Sequence, residues 1–160
     1  MGGQLGVSAV AARAHEEVFT YWASMRREGR LPSREDINPF LLKRMLPTVS
    51  LVEIAADGDY RLRLAGTGLY NVYGREITGR TLNEVYAGPA AEYWREQLDK
   101  IRKERRPLVG CHNMSWRGAP HMSILWQRLP LARNGYDVDM ILGYDAVVGS
   151  QIAPSGIRAA

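Results

Sequence analysis

The stretch "RLRLAGTGLYNVYGREITGRTLNEVY", Arg61 to Tyr86, decides how the chain is read. It leaves a strict alternation of Leu and Arg, passes through Gly-Thr-Gly, and continues as short apolar pieces punctuated by Gly74 and Gly79. A phosphate loop would end in Lys-Ser/Thr, and a dinucleotide site would need a third glycine inside a strand-helix-strand unit. Neither is present, so the glycines are read as architecture. Gly66 and Gly68 are expected to let the chain leave a strand at an angle that side chains disfavour, and Gly74 and Gly79 to separate short helices.

Working outward from this stretch, "YRLRLAG" alternates as a strand, and "TVSLVEI" before it is apolar and β-branched. Asp57-Gly58 between them is a hairpin signal. Upstream, Ala14, Val18, Trp22 and Met25 recur at helical spacing from about Val10 to Glu28, with Gly29 as a stop. Asn38 followed by Pro39 opens a short helix that runs to about Leu46. Downstream, Pro89 opens a longer helix in which Trp94, Leu98 and Ile101 form one stripe. Three strands close the chain: "LVGCHNMSW", "HMSILWQRLPL" and "YDVDMILGYDAVV", joined by "RGAP" and by an Asn134-Gly135 turn. Hairpins at both ends with helices between them predict an α+β domain built on an antiparallel sheet.

Composition narrows the function. A chain of 160 residues with 46% hydrophobic content suits one domain. Its single cysteine forms no internal disulfide, there is no leader-like start, and no apolar run reaches the roughly 20 residues of a membrane helix. A cytoplasmic protein is expected. The net charge of +4 is spread over 21 basic and 17 acidic residues, and its densest run, "DKIRKERRP" at Asp99 to Pro107, reads as the solvated end of a helix. Nucleic-acid binding is disfavoured on this ground and for want of an aromatic-basic signature.

Three blocks, "YWASMRREGRLPSREDINPFLLKRMLP", "RLRLAGTGLYNVYGREITGRTLNEV" and "LPLARNGYDVDMILG", resemble the fifth PAS family, short bacterial PAS-like proteins. The resemblance spans about Tyr21 to Gly143. It implies a five-stranded antiparallel sheet with helices on one face and an added N-terminal amphipathic helix. On this scheme residues 1–47 form a helical cap, 48–148 the PAS core and 149–160 a tail. It also implies a sensor or interaction module whose N-terminal helix packs on the sheet or pairs with a second copy.

Strand register then gives candidate site residues. A two-residue Asn134-Gly135 hairpin sets Leu129 opposite Met140, Gln127 opposite Leu142 and Leu125 opposite Tyr144. A four-residue "RGAP" loop sets Trp116 opposite His121, Met114 opposite Ser123 and His112 opposite Leu125. The pocket beneath the helices would therefore be lined by His112, Met114, Trp116, Ser123, Gln127 and Tyr144. Its buried polar groups need partners from a ligand or from the protein's own backbone. The other face, with Ile124, Trp126 and Ile141, would be covered by the Val18, Trp22 and Met25 stripe, from the same chain or from a homodimer partner.

The candidate chemistries follow from these positions. Haem is disfavoured because the long helix offers no axial His. Flavin is disfavoured because Cys111 sits in "CHN" on a strand and lacks the surrounding motif of a photoreactive site. The scattered His15, His112 and His121 make no metal cluster. An enzyme using His112 as a base lacks an acidic partner, since Asp137, Asp139 and Asp145 fall on the other face. The expectation is a stand-alone PAS sensor or adaptor that is not an enzyme. It would bind an unidentified small molecule or a signalling protein, or act through protein contacts alone, and signal by helix or dimer packing.

Overall fold

A computed structural model describes residues 2–149, with side chains from residue 9 onward; the tail expected at 149–160 lies, beyond residue 149, outside the described residues. A long helix α1 (Gly2–Ser24) comes first. Short 3₁₀ turns follow at Arg34–Asp36, Pro39–Leu42 and Leu46–Thr48. The hairpin β1 (Val49–Ile54) and β2 (Tyr60–Ala65) leads into α2 (Leu69–Tyr73), α3 (Leu82–Val85) and α4 (Pro89–Glu104). The chain ends with β3 (Leu108–Met114), β4 (Ala119–Leu131) and β5 (Met140–Val148). The five strands form one antiparallel sheet in the order β2-β1-β5-β4-β3.

Local chemistry sets the boundaries. The Asn38 side chain accepts from the Phe40 amide at 3.1 Å with Pro39 beside it, so the segment starts as a helix, but it tightens to a single 3₁₀ turn before Leu46-Pro47. Glu84 Oε1 accepts from the Thr81 amide at 2.9 Å and starts α3. Helix α4 buries Trp94, Leu98 and Ile101 as the spacing predicts, and closes at Arg105 in the left-handed conformation. Gly74 and Gly79 take φ of 78° and 83° at turns, as expected. Gly66 and Gly68 serve another purpose. Gly68 has an ordinary φ of −70°, but a Cβ there would lie 2.9 Å from the Pro47 carbonyl oxygen, and one on Gly66 only 2.5 Å from the same atom. These glycines let the 46–48 segment pack directly on the chain leaving β2.

Two registers differ from expectation. The β4–β5 connection spans eight residues, because Asn134 Oδ1 accepts from the amides of both Tyr136 and Asp137 and rounds the turn. Pairing therefore slides by two: Leu129 faces Leu142, Gln127 faces Tyr144 and Leu125 faces Ala146. A slide of two keeps each side chain on its face. Between β3 and β4, a 3₁₀ turn at Ser115–Arg117 and a bulge at Asn113/Met114 slide the pairing by one, placing His112 opposite Ile124. A slide of one reverses the face, and His112 and Met114 leave the company of Ser123 and Gln127.

The covers are also exchanged. Val18 and Trp22 of α1 pack with Leu129, Leu131, Leu142 and Tyr144, with Met25 at the margin. Ile124, Trp126 and Ile141 lie instead beneath α2, α3 and α4. Both faces are apolar, so alternation alone does not assign a cover to either. The Val18–Trp22 stripe is buried within its own chain. Among the described residues no helix is long and apolar enough to cross a membrane.

Candidate functional site

Beneath α2–α4 the sheet carries two large side chains made possible by two glycines. A Cβ on Gly110 of β3 would lie 2.5 Å from the Trp126 ring, and one on Gly143 of β5 would lie 3.1 Å from the Arg128 guanidinium. Trp126 and Arg128 thus lie close against the backbone of their neighbouring strands. Arg128 Nη1 donates to Asp145 Oδ1 at 2.7 Å and to the Gln127 carbonyl at 3.0 Å. Both members of the pair are buried, at 3% and 1% exposure. The guanidinium stands 4.7 Å from the centre of the Trp94 ring and 5.8 Å from that of Trp126.

The second oxygen of Asp145 accepts from the Tyr73 hydroxyl at 3.3 Å, and the hydroxyls of Tyr73 and Tyr86 are 3.1 Å apart. Tyr86 stacks on Trp94 at 5.5 Å and meets Trp116 at 5.2 Å. Burial raises the pKa of both phenols, Tyr86 to about 12 and Tyr73 well above its usual value with the Asp145 charge adding to the rise. Burial works to lower the pKa of Arg128, but Asp145 and the two tyrosines outweigh it and raise it. The guanidinium therefore stays charged and the phenols stay neutral through the physiological range. Aromatic rings and one ion pair occupy the middle of the space between helices and sheet.

The sequence-predicted pocket divides between the two faces. His112, Met114 and Trp116 belong to the α2–α4 side. There the Trp94 indole donates to His112 Nδ1 at 3.1 Å, and Tyr93 stacks on the His112 ring at 4.5 Å. Ser123, Gln127 and Tyr144 lie toward α1. Ser123 Oγ accepts from Asn113 at 3.1 Å, and Tyr144 packs edge-on against His15 at 5.5 Å. Two buried atoms lack any hydrogen-bond partner among the described residues, Gln127 Oε1 and Trp116 Nε1. Each such group costs about 1–3 kcal/mol. Sequence reasoning missed Arg128, Asp145, Tyr73, Tyr86 and Trp94 as one unit. An Arg on an otherwise apolar strand, with Asp145 on the paired strand, was the available signal.

On the opposite face, among the described residues, two side-chain hydrogen bonds join α1 to β4. His15 Nε2 donates to the Leu125 carbonyl at 2.7 Å, and Trp22 Nε1 donates to the Pro130 carbonyl at 2.9 Å. Burial lowers the pKa of His15 and of His112 below 6.5. The unfolded chain binds protons on these imidazoles at a pH where the folded chain does not. Their contribution to stability is complete above the unfolded pKa and is lost as pH falls from about 6.5 toward the folded values. Urea denaturation is expected to give a lower midpoint at pH 5.5 than at pH 7.5. The His15→Gln/His112→Gln double variant should flatten that slope, and an unchanged slope would contradict the assignment.

Solved structures and a family model were matched by this chain. The LOV protein of Rhodobacter sphaeroides is 16% identical, with a TM-score of 0.49 over 91% of this chain and 70% of that one. A Light-Oxygen-Voltage domain studied with a flavin analogue is 14% identical, with a TM-score of 0.50 over 75% of this chain and 93% of that one. An RNA-binding Light-Oxygen-Voltage receptor is 14% identical, with a TM-score of 0.51 over 71% of this chain and 34% of that one. The chain spans less than two thirds, 63%, of the RsLOV d2 variant. At these identities the likeness concerns the fold. No curated protein matches the sequence. The PAS domain model of the fifth family matches residues 10–145, and the chain belongs to that family.

Proposed function

We propose that this PAS domain is a sensory or adaptor module that carries its signal in the seating of α1 on the sheet, as a homodimer, toward another protein. The observation that carries the reading is the contrast between the two faces. The α2–α4 side carries the Arg128–Asp145 pair and its rings, whereas α1 adds no strand pairing and rests on the sheet through its apolar Val18–Trp22 stripe and two described side-chain hydrogen bonds that a ligand or partner can compete for. Exposed apolar residues support a dimer: Val10 on α1 and Leu41, which lines a groove with Arg13, Glu17 and Tyr21 on the same flank of the helix, are each 64% exposed.

The LOV relatives raise flavin again, and they weigh against setting it aside on sequence alone. The side chains beneath the helices weigh against it. Trp94, Trp126, Tyr86 and Arg128 occupy the space beneath the helices, and Cys111 pairs with Leu125 on the face turned toward α1. Contrary to the expectation from the sequence, Asp145 shares the α2–α4 face with His112, but Arg128 and Tyr73 engage its carboxylate and the hydrogen bond described for His112 comes from Trp94, which weighs against a catalytic role. Part of the basic run at the end of α4 contacts its own chain: Arg105 donates to the Tyr136 carbonyl, Arg106 pairs with Glu104, and Arg102 lies over Tyr60.

Sedimentation across a range of concentrations tests the reading. A dimer is expected, and Val10→Glu/Leu41→Glu should weaken it by roughly tenfold or more while leaving the fold intact. A monomer at every concentration, or a dimer indifferent to the double substitution, would overturn the α1 interface.

A further inference from the structure

We propose that the cleft between α2, α3 and the β3–β4 turn binds a small planar carboxylate through Trp116 and the arginines at its rim. The cleft has a volume of about 380 Å³, lined among others by Tyr73, Arg75, Glu84, Tyr86, Trp116 and Arg117. That is the small end of the range for organic ligands. Tyr86 and Trp116 give it aromatic walls, which favour a flat ligand. Trp116 Nε1 is a buried donor with no acceptor among the described residues. Among the described residues the other three indoles, of Trp94 and Trp126 nearby and of Trp22 on the opposite face, each have a partner.

Charge selects the ligand's sign. Arg117 Nε and Nη2 donate to the carbonyls of Val72 and Asn71, at 2.6 and 3.0 Å, so its positive charge meets backbone dipoles and no carboxylate. Gly74, at φ 78°, lets Arg117 Nη1 lie against the backbone, since a Cβ there would sit 3.2 Å from it. Arg75 also forms no ion pair among the described residues, which leave four such pairs elsewhere. The carboxylate of Glu84 is taken up by the Thr81 amide and hydroxyl. A carboxylate at the rim gains charge-assisted hydrogen bonds that a neutral amide of the same shape does not. Trp116 Nε1 is shielded from solvent in this state, so the ligand that reaches it must turn the indole toward the cleft. The site rests on the sensory reading only for its consequence. Tyr86 and Tyr73 connect its floor to Asp145, and thence to the sheet on which α1 sits.

The four indole N–H signals of the ¹⁵N-labelled chain test this directly, with Trp116→Phe identifying the signal of interest. Titration with benzoate and with 2-naphthoate should move the Trp116 signal downfield to saturation, and benzamide should not. Arg117→Gln should weaken binding by roughly tenfold, with Arg75→Gln as the second variant should loss of the Arg117 contacts unfold α2. No saturable Trp116 shift up to roughly 10 mM of either carboxylate would overturn the site, as would equal binding of benzamide. The Trp22 signal reports α1 separately. Movement of Trp116 without Trp22 upholds the cleft and counts against signalling through α1, and movement of Trp22 without Trp116 overturns the cleft alone.

Discussion

Replacing Asp145 by alanine is expected to cost about 3–5 kcal/mol of folding stability, the usual penalty for leaving one partner of a buried ion pair uncompensated. The remaining guanidinium of Arg128 would keep its place over Trp94, sealed from water, and Tyr73 would lose its carboxylate acceptor. The companion experiment is the double variant Arg128→Met/Asp145→Leu, which replaces both charges by apolar groups. A buried pair roughly balances its own desolvation, so the double variant should be far closer to the parent than Asp145→Ala. Urea denaturation reads both. Equal losses in the single and double variants would mean that the pair does not act as a unit.

Trp22→Ala should be nearly as costly, at about 3–5 kcal/mol, because it empties a large buried volume and strands the Pro130 carbonyl. The loss should be distributed unevenly. Helix α1 packs on β4 and β5 but contributes no strand pairing, so the sheet keeps its own hydrogen-bond ladder and the α2–α4 core when α1 loosens. Native-state hydrogen exchange should then show α1 amides exchanging well before those of β4 and β5. Simultaneous loss of protection in all three elements would contradict the idea that α1 is a separately adjustable layer.

Most of the architecture was legible in the sequence, for reasons that can be named. Asp57-Gly58 and the alternation of Tyr60, Leu62 and Leu64 gave the first hairpin, and the Trp94, Leu98 and Ile101 stripe gave α4. The candidate site was legible only in pieces. Asn134-Gly135 resembles a two-residue hairpin, but Asn134 bridges two amides and the turn widens. An even slide preserved the face of Gln127 and Tyr144, while the odd slide after Trp116 carried His112 to the other side. With apolar residues on both faces, the pattern did not say that Ile124 and Trp126 lie under α4 and Leu129 under α1. What discriminates them is space: Gly110 opposite Trp126 and Gly143 opposite Arg128 make room for the large side chains. Gly110 and Gly143, to which the alternation pattern gave no role, mark the α2–α4 face.

The central proposal is that the Arg128–Asp145 pair and its rings occupy the PAS interior in place of a flavin. The most direct measurement is the absorption spectrum of the purified chain after incubation with flavin mononucleotide and gel filtration. The account predicts that the protein emerges without visible absorption and that the flavin elutes separately with its free spectrum. Flavin retained on the protein in stoichiometric amount would contradict it.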